Sequence, residues 1–134
     1  MVLLFYCGAA HYHTFQGGTN LVVTDLLQVV VKNTIRETRV VCEGEIDLWS
    51  KTVLEETVKH LINGERNSVI DLYNTNFIDG EGCACLNKIA YTLKPHGKTL
   101  KVITRLGSGP TRTINFLKEY GSIAFDHETE SSRN

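Results

Sequence analysis

The sequence predicts an α/β fold, a mixed sheet of four to five strands packed with three or four helices. Three observations carry that expectation. Short β-branched apolar runs recur along the chain, amphipathic helical stripes alternate with them, and glycine, proline or asparagine marks each change of period. Residues 69–86, VIDLYNTNFIDGEGCACL, concentrate all three. An apolar run (Val69, Ile70, Leu72) ends in a polar turn, and Phe77 and Ile78 then lead through Asp79, Gly80, Glu81 and Gly82 into a helical pattern. A strand end delivered to a helix N-terminus is where α/β proteins place their working surface.

In order along the chain, the apolar start MVLLFYCGAA has no basic stretch before it and is too short to span a bilayer. A lipoprotein anchor at Cys7 wants a small residue before it, and Tyr6 stands there. Residues 1–20 are therefore expected to be a flexible N-terminal extension, closed by the breaker Gln16-Gly17-Gly18-Thr19-Asn20, with the domain running over 21–126. Residues 26–31 (LLQVVV) read as a strand, a turn follows at 33–37, and residues 39–43 (RVVCE) read as its hairpin partner. Gly44, Glu45, Ile46 and Asp47 then leave that strand for the first helix.

Ser50 is placed to cap this helix, with Trp49 before it in position to staple against Leu54. Val53, Leu54, Val58, Leu61 and Ile62 make one apolar stripe opposite Lys51, Glu55, Glu56 and Lys59, and Asn63-Gly64 stops it. A strand follows at 68–72. The second helix starts after Asp79, carries Leu86, Ile89, Ala90 and Leu93 at i, i+3, i+4 and i+7, and ends at Pro95-His96-Gly97. Residues 99–104 (TLKVIT) form another strand. Ser108-Gly109-Pro110 opens a third helix with Ile114, Leu117 and Tyr120 inward, ending at Gly121. A short strand at 123–125 and a polar, disordered tail over 127–134 complete the chain.

The chain has 134 residues, enough for one domain with its own core. An apolar fraction of 42% and a charged fraction of 22% are ordinary for a soluble globular protein. Fourteen basic against fifteen acidic residues give a net charge of −1, without the basic excess of a nucleic-acid binder or of a protein drawn to anionic membranes. Four cysteines, Cys7, Cys42, Cys83 and Cys85, are too few and too irregular for a disulfide framework, and read as reduced thiols of a cytoplasmic protein. No cofactor or metal site is expected. Cys7, His11 and His13 lack a fourth ligand, and the Cys83/Cys85 spacing is too tight for a zinc knuckle.

Each candidate site residue has a structural alternative. Asp79 is the natural cap of the second helix as well as a recognition group. Asp47 and Asp71 sit at strand ends, where a carboxylate also accepts from turn N–H groups. Leu48 and Trp49 offer a partner-facing apolar patch, against the staple role for Trp49. Thr75 is the nearest hydroxyl able to accept a phosphate, with a turn role beside it. Thr75 and Asn76 flank the Asp79 turn. Cys83 and Cys85 lie in the first turns of a helix, which favours a thiolate, but cysteine is equally a small core residue. Gly107-Ser108-Gly109 lacks the Lys-Ser/Thr ending of a P-loop and reads as a helix start. The carboxylate pairs Glu45/Asp47 and Asp79/Glu81 have no nucleophile at a useful spacing, so catalysis is not expected.

Three motifs together resemble the STAS family, named for sulphate transporters and anti-sigma factor antagonists. Gly44-Glu45-Ile46-Asp47 resembles the family's G-E-hydrophobic-D, and Val69-Ile70-Asp71-Leu72 its hydrophobic strand. Phe77-Ile78-Asp79-Gly80-Glu81-Gly82 resembles its F-hydrophobic-D-S-S-G turn in part. The likeness covers roughly residues 26–125. It implies a stand-alone, bacterial anti-sigma factor antagonist that binds an anti-sigma factor with a GHKL-type kinase domain, and is compatible with a homo-oligomer. The implied contact set is Asp47, Leu48, Trp49, Thr75, Asn76, Asp79, Gly80, Glu81, Gly82 and Cys83. The serine that the partner kinase phosphorylates in the family corresponds to Gly80 here, and the next serine to Glu81. The resemblance also admits a phosphorylation-independent subunit of a stress-signalling scaffold or lipid-transport complex, and a nucleotide-binding or small-ligand domain.

Overall fold

The computed structural model describes residues 2–6, 12–15, 27–65, 67–115 and 123–133. Eight strands form one mixed sheet: β1 (Val2–Tyr6), β2 (Tyr12–Phe15), β3 (Leu27–Asn33), β4 (Thr38–Ile46), β5 (Asn67–Leu72), β6 (Thr75–Ile78), β7 (Thr99–Arg105) and β8 (Ala124–Glu128). Their order is β2-β1-β3-β4-β5-β7-β8, with β6 also paired to β4. The helices are α1 (Lys51–Glu55), α2 (Val58–Asn63), α3 (Gly80–Leu93) and α4 (Gly109–Asn115). The α/β class and the alternation after an initial hairpin are as the sequence indicates, and the sheet is larger than four to five strands.

The extra strands have local causes. The VLLFY run of β1 lies antiparallel to β3, with Leu3 opposite Val31 and Phe5 opposite Val29, so the free edge of β3 is covered. Val2–Tyr6 and Tyr12–Phe15 are thus strands within the stretch that the sequence reads as a flexible extension. β6 arises because β4 does not stop at Glu43. β4 continues to Ile46 through a register shift at Gly44, whose φ of +117° suits glycine. β4 pairs with β5 over residues 38–41 and with β6 over residues 44–46, the shift lying inside the second ladder.

The polar turn at Tyr73 and Asn74 steps the chain from one strand to the next, with Gly44 N donating to Asn74 O at 3.4 Å. At the other end, β8 runs to Glu128 and a 3₁₀ turn at Ser131–Arg133 follows, where the sequence suggests a disordered tail. The expected domain start at Leu21 and the helix positions Leu117, Tyr120 and Gly121 lie outside the described residues.

The first helical stripe is correct in its buried face, Val53, Leu54 and Leu61, but the helix breaks between α1 and α2. Thr57 is fully buried there, and its hydroxyl donates to Leu54 O at 2.6 Å, satisfying a carbonyl at the break. α3 follows the expected pattern. Leu86, Ile89 and Leu93 are fully buried against Leu54, Ile70, Leu72 and Val102 in one core. Each such side chain contributes roughly 1.5–3 kcal/mol through burial. Gly97, with φ of +69°, turns the chain after the 3₁₀ turn that ends this helix.

Candidate functional site

Two strand ends and two helix starts meet at one corner: the end of β4 leading to α1, and the end of β6 leading to α3. The main chain ties them, since Asp79 N donates to Ile46 O at 3.1 Å. Asp79 caps α3 as the sequence indicates. Its backbone is extended (φ −101°, ψ −173°), and its Oδ1 accepts from Gly82 N at 2.9 Å. Gly82 is required by packing. A Cβ there would lie 2.6 Å from Ile78 Cγ1 and 2.9 Å from Ile46 O, so the missing side chain lets α3 start directly on the sheet. Gly80 is the opposite case, with nothing within 4 Å of its Cβ direction.

On the β4 side the capping roles differ from the sequence expectation. Asp47, not Ser50, organises the turn: Asp47 Oδ1 accepts from Trp49 N at 2.9 Å and Ser50 N at 3.0 Å. Ser50 is fully buried and donates its hydroxyl to Glu45 O at 2.7 Å. The Trp49–Leu54 staple does not form. Leu54 lies in the core while Trp49 is 77% exposed, because the Asp47 turn swings residues 48 and 49 outward. Leu48 is 50% exposed and Phe77 48%, so three large apolar side chains belong to the surface of this corner.

Asn76, Gly80 and Glu81 are also exposed, and Asp47 and Asp79 partly so. Thr75, Gly82 and Cys83, three members of the expected contact set, are buried. Thr75 is 1% exposed and its hydroxyl donates to Cys42 O at 3.0 Å, which spends it on holding β6 to β4.

Glu81 Oε2 accepts from Lys51 Nζ at 2.9 Å, linking α1 to α3. The two aspartates are engaged by backbone N–H groups, Asp47 by those of Trp49 and Ser50 and Asp79 by that of Gly82. Burial, helped by Asp79, pushes the Cys83 thiol up to about 11; burial, with Glu55 adding and Lys51 and Lys88 opposing, pushes Cys85 up to about 12. Both are neutral thiols at physiological pH, so desolvation overrides the helix-start preference for a thiolate.

Among the described residues no group of three or more His, Cys, Asp or Glu is placed to hold a metal. Cys7 and His11 lie outside those residues. No described helix is long and apolar enough to cross a membrane. Ser108 begins α4, with Thr111 N donating to its Oγ at 3.4 Å, as a helix start requires.

Sequence inspection missed Asp71 as an ion-pair centre. It is 1% exposed and lies 2.8 Å from Arg39 and 2.9 Å from Arg133. Its turn role is present as well, since Oδ1 accepts from Tyr73 N at 3.0 Å. The alternation of β5 offered a signal: Ile70 and Leu72 face the helices, so Asp71 must face the other side of a fully buried strand and needs a cation there.

No protein-family model matches the chain, and no curated protein matches it in sequence. Solved structures do match in fold. An anti-sigma factor antagonist from Mycobacterium paratuberculosis superposes with a TM-score of 0.65 at 22% identity, covering 78% of this chain and 90% of that one. The unphosphorylated anti-sigma factor antagonist SpoIIAA superposes with a TM-score of 0.61 at 12% identity, covering 78% and 91%. The chain therefore has the fold of these two anti-sigma factor antagonists over 78% of its length.

Proposed function

We propose that this protein is an anti-sigma factor antagonist of the bacterial cytoplasm, which binds a GHKL-type kinase anti-sigma factor through the corner formed by the β4–α1 and β6–α3 junctions. The observation that carries the reading is the exposure of Leu48 and Trp49 beside the α3 start, on a fold that corresponds to two anti-sigma factor antagonists. The contact set is Asp47, Leu48, Trp49, Asn76, Asp79, Gly80 and Glu81, while Thr75, Gly82 and Cys83 support it from below. Large apolar groups ringed by single charges suit a protein partner, with the tryptophan as anchor and the charges setting register.

Gly80 occupies the place of the phosphoacceptor serine that the STAS resemblance implies, and it carries no hydroxyl. Glu81 supplies about one negative charge where a phosphoserine carries about −1.5 to −2, and Lys51 neutralises that charge. The surface thus keeps the electrostatics of an unmodified antagonist, and binding is constitutive with respect to phosphorylation at residue 80. A phosphorylation-independent scaffold subunit is the second reading, favoured by the same missing hydroxyl.

The test is titration calorimetry against a GHKL-type anti-sigma factor. Trp49→Ala should weaken binding at least tenfold, as loss of an interface anchor does. Unchanged affinity in Trp49→Ala and Leu48→Ala would remove the corner as the interface.

A further inference from the structure

The sheet face turned away from the helices carries a second built site, independent of the docking corner. Asp71 lies on that face, almost wholly buried. The turn after β8 returns over it: Thr129 N donates to Ser132 Oγ at 2.9 Å, Ser132 N donates to Thr129 O at 3.1 Å, and the 3₁₀ turn ends at Arg133. Arg133 then places its guanidinium among three groups. Nη2 lies 2.9 Å from Asp71 Oδ2 and Nη1 3.5 Å from Asp71 Oδ1, Nη1 lies 2.6 Å from Glu128 Oε2, and Cζ stands 4.1 Å from the Tyr73 ring centroid. The Arg133 side chain is only 26% exposed.

Two carboxylates in fork geometry and one aromatic face make up what a planar guanidinium needs. A compact ammonium can match neither the paired hydrogen bonds nor the stacking. The charges agree. Without Arg133, Asp71 would keep Arg39, which Glu37 shares at 2.8 Å, Glu128 would lose its 2.6 Å ion pair, and Arg105 would stand 5.9 Å from the Tyr73 ring centroid. A buried carboxylate left short of positive charge is costly, so the vacated cage would favour a new cation. A hollow of about 410 Å³, lined by Tyr73, Arg105, Leu106, Thr129 and Glu130, opens beside Tyr73 and offers access.

We propose that Asp71, Glu128 and the Tyr73 ring form a guanidinium-binding site that the chain fills in cis with Arg133, latching residues 129–133 across the sheet face opposite α3. Its ligand class is the alkylguanidinium, that is, an arginine side chain. Tyr73 also opens the turn into β6, so the latch bears on a segment that leads to the docking corner, although the site stands whether or not that corner binds an anti-sigma factor.

The test is chemical rescue in the full chain. Arg133→Ala should lower the melting midpoint by roughly 3–6 °C. Millimolar N-propylguanidinium should restore most of the loss with a saturable dependence, whereas propylamine at equal ionic strength should not. Arg133→Lys should recover less than half of it. Wild-type protein, with its site filled, should not respond to the guanidinium. Rescue should vanish in Glu128→Gln/Arg133→Ala, a background that leaves the buried Asp71 intact and so guards against misfolding. Unchanged melting of Arg133→Ala, equal response to guanidinium and amine, or rescue that persists in the double variant would each overturn the proposal.

Discussion

Lys51 Nζ and Glu81 Oε2 stand 2.9 Å apart, joining the first turn of α1 to the first turn of α3 across the corner where β4 and β6 end. Both side chains are solvent-accessible, so the pair adds little to folding and its consequence lies in the field a partner meets. Replacing Glu81 by lysine reverses that field beside Gly80. Glu81→Lys should alter partner affinity far more than Glu56→Lys, which changes charge on α1's C-terminal side, and both variants should melt close to wild type. Calorimetric titration of the pair checks this, and equal effects would count against the corner.

Gly80 and Gly82 should respond oppositely to a methyl group. Gly82→Ala forces a Cβ against Ile46 O and the Ile78 and Ile46 side chains, and should cost about 1–3 kcal/mol as overpacking does. Gly80→Ala meets open space at the start of α3 and should stabilise by about 0.4–1 kcal/mol. Urea unfolding of the two variants measures both signs.

Gly80→Ser returns a hydroxyl to an exposed helix start. With a GHKL-type anti-sigma kinase and ATP, the variant should take up one phosphate that the natural chain does not, and should then lose affinity for the kinase. Intact-mass measurement reads the first effect. No incorporation would mean that residue 80 is not presented to such a kinase.

Asp79→Ala removes the carboxylate that accepts from Gly82 N, and should cost about 1 kcal/mol, with Asp79→Ser recovering most of it. The loss should appear as faster amide exchange confined to the first turn of α3.

The thiols set an alkaline limit. Cys83 and Cys85 titrate near 11 and 12 in the folded chain against an ordinary 9.0, chiefly because burial disfavours the thiolate. Their folded pKa values are raised, so the unfolded state loses protons first. The associated stability is fully present below pH 9 and falls as pH rises from 9 towards 11 and 12. Melting midpoints measured across that window should decline, and iodoacetamide at pH 7.5 should leave both cysteines unmodified until the chain unfolds.

The α/β class, the β3–β4 hairpin, the α3 stripe and the Asp79 cap were legible from the sequence because each rests on contacts within a few residues. The break between α1 and α2 was not, because a threonine in an amphipathic stripe does not announce that its hydroxyl will return to Leu54 O. β6 was hidden for a related reason. Four residues carry too little periodicity to mark a strand, and only the run of β4 past its pairing with β5 leaves an edge for them to join.

By itself the sequence determined the β3–β4 hairpin, the β5 and β7 strands, where α3 begins, and that residue 80 has no hydroxyl to modify. All of these follow from local backbone preference and side-chain chemistry. Tertiary structure decided which polar groups are surface and which are support. It buried Thr75 under β4, swung Trp49 outward on the Asp47 turn, paired Glu81 with Lys51, and brought Arg133 to Asp71, 62 positions away in the chain. Burial and long-range pairing depend on how separate elements stack, and no local pattern encodes that stacking.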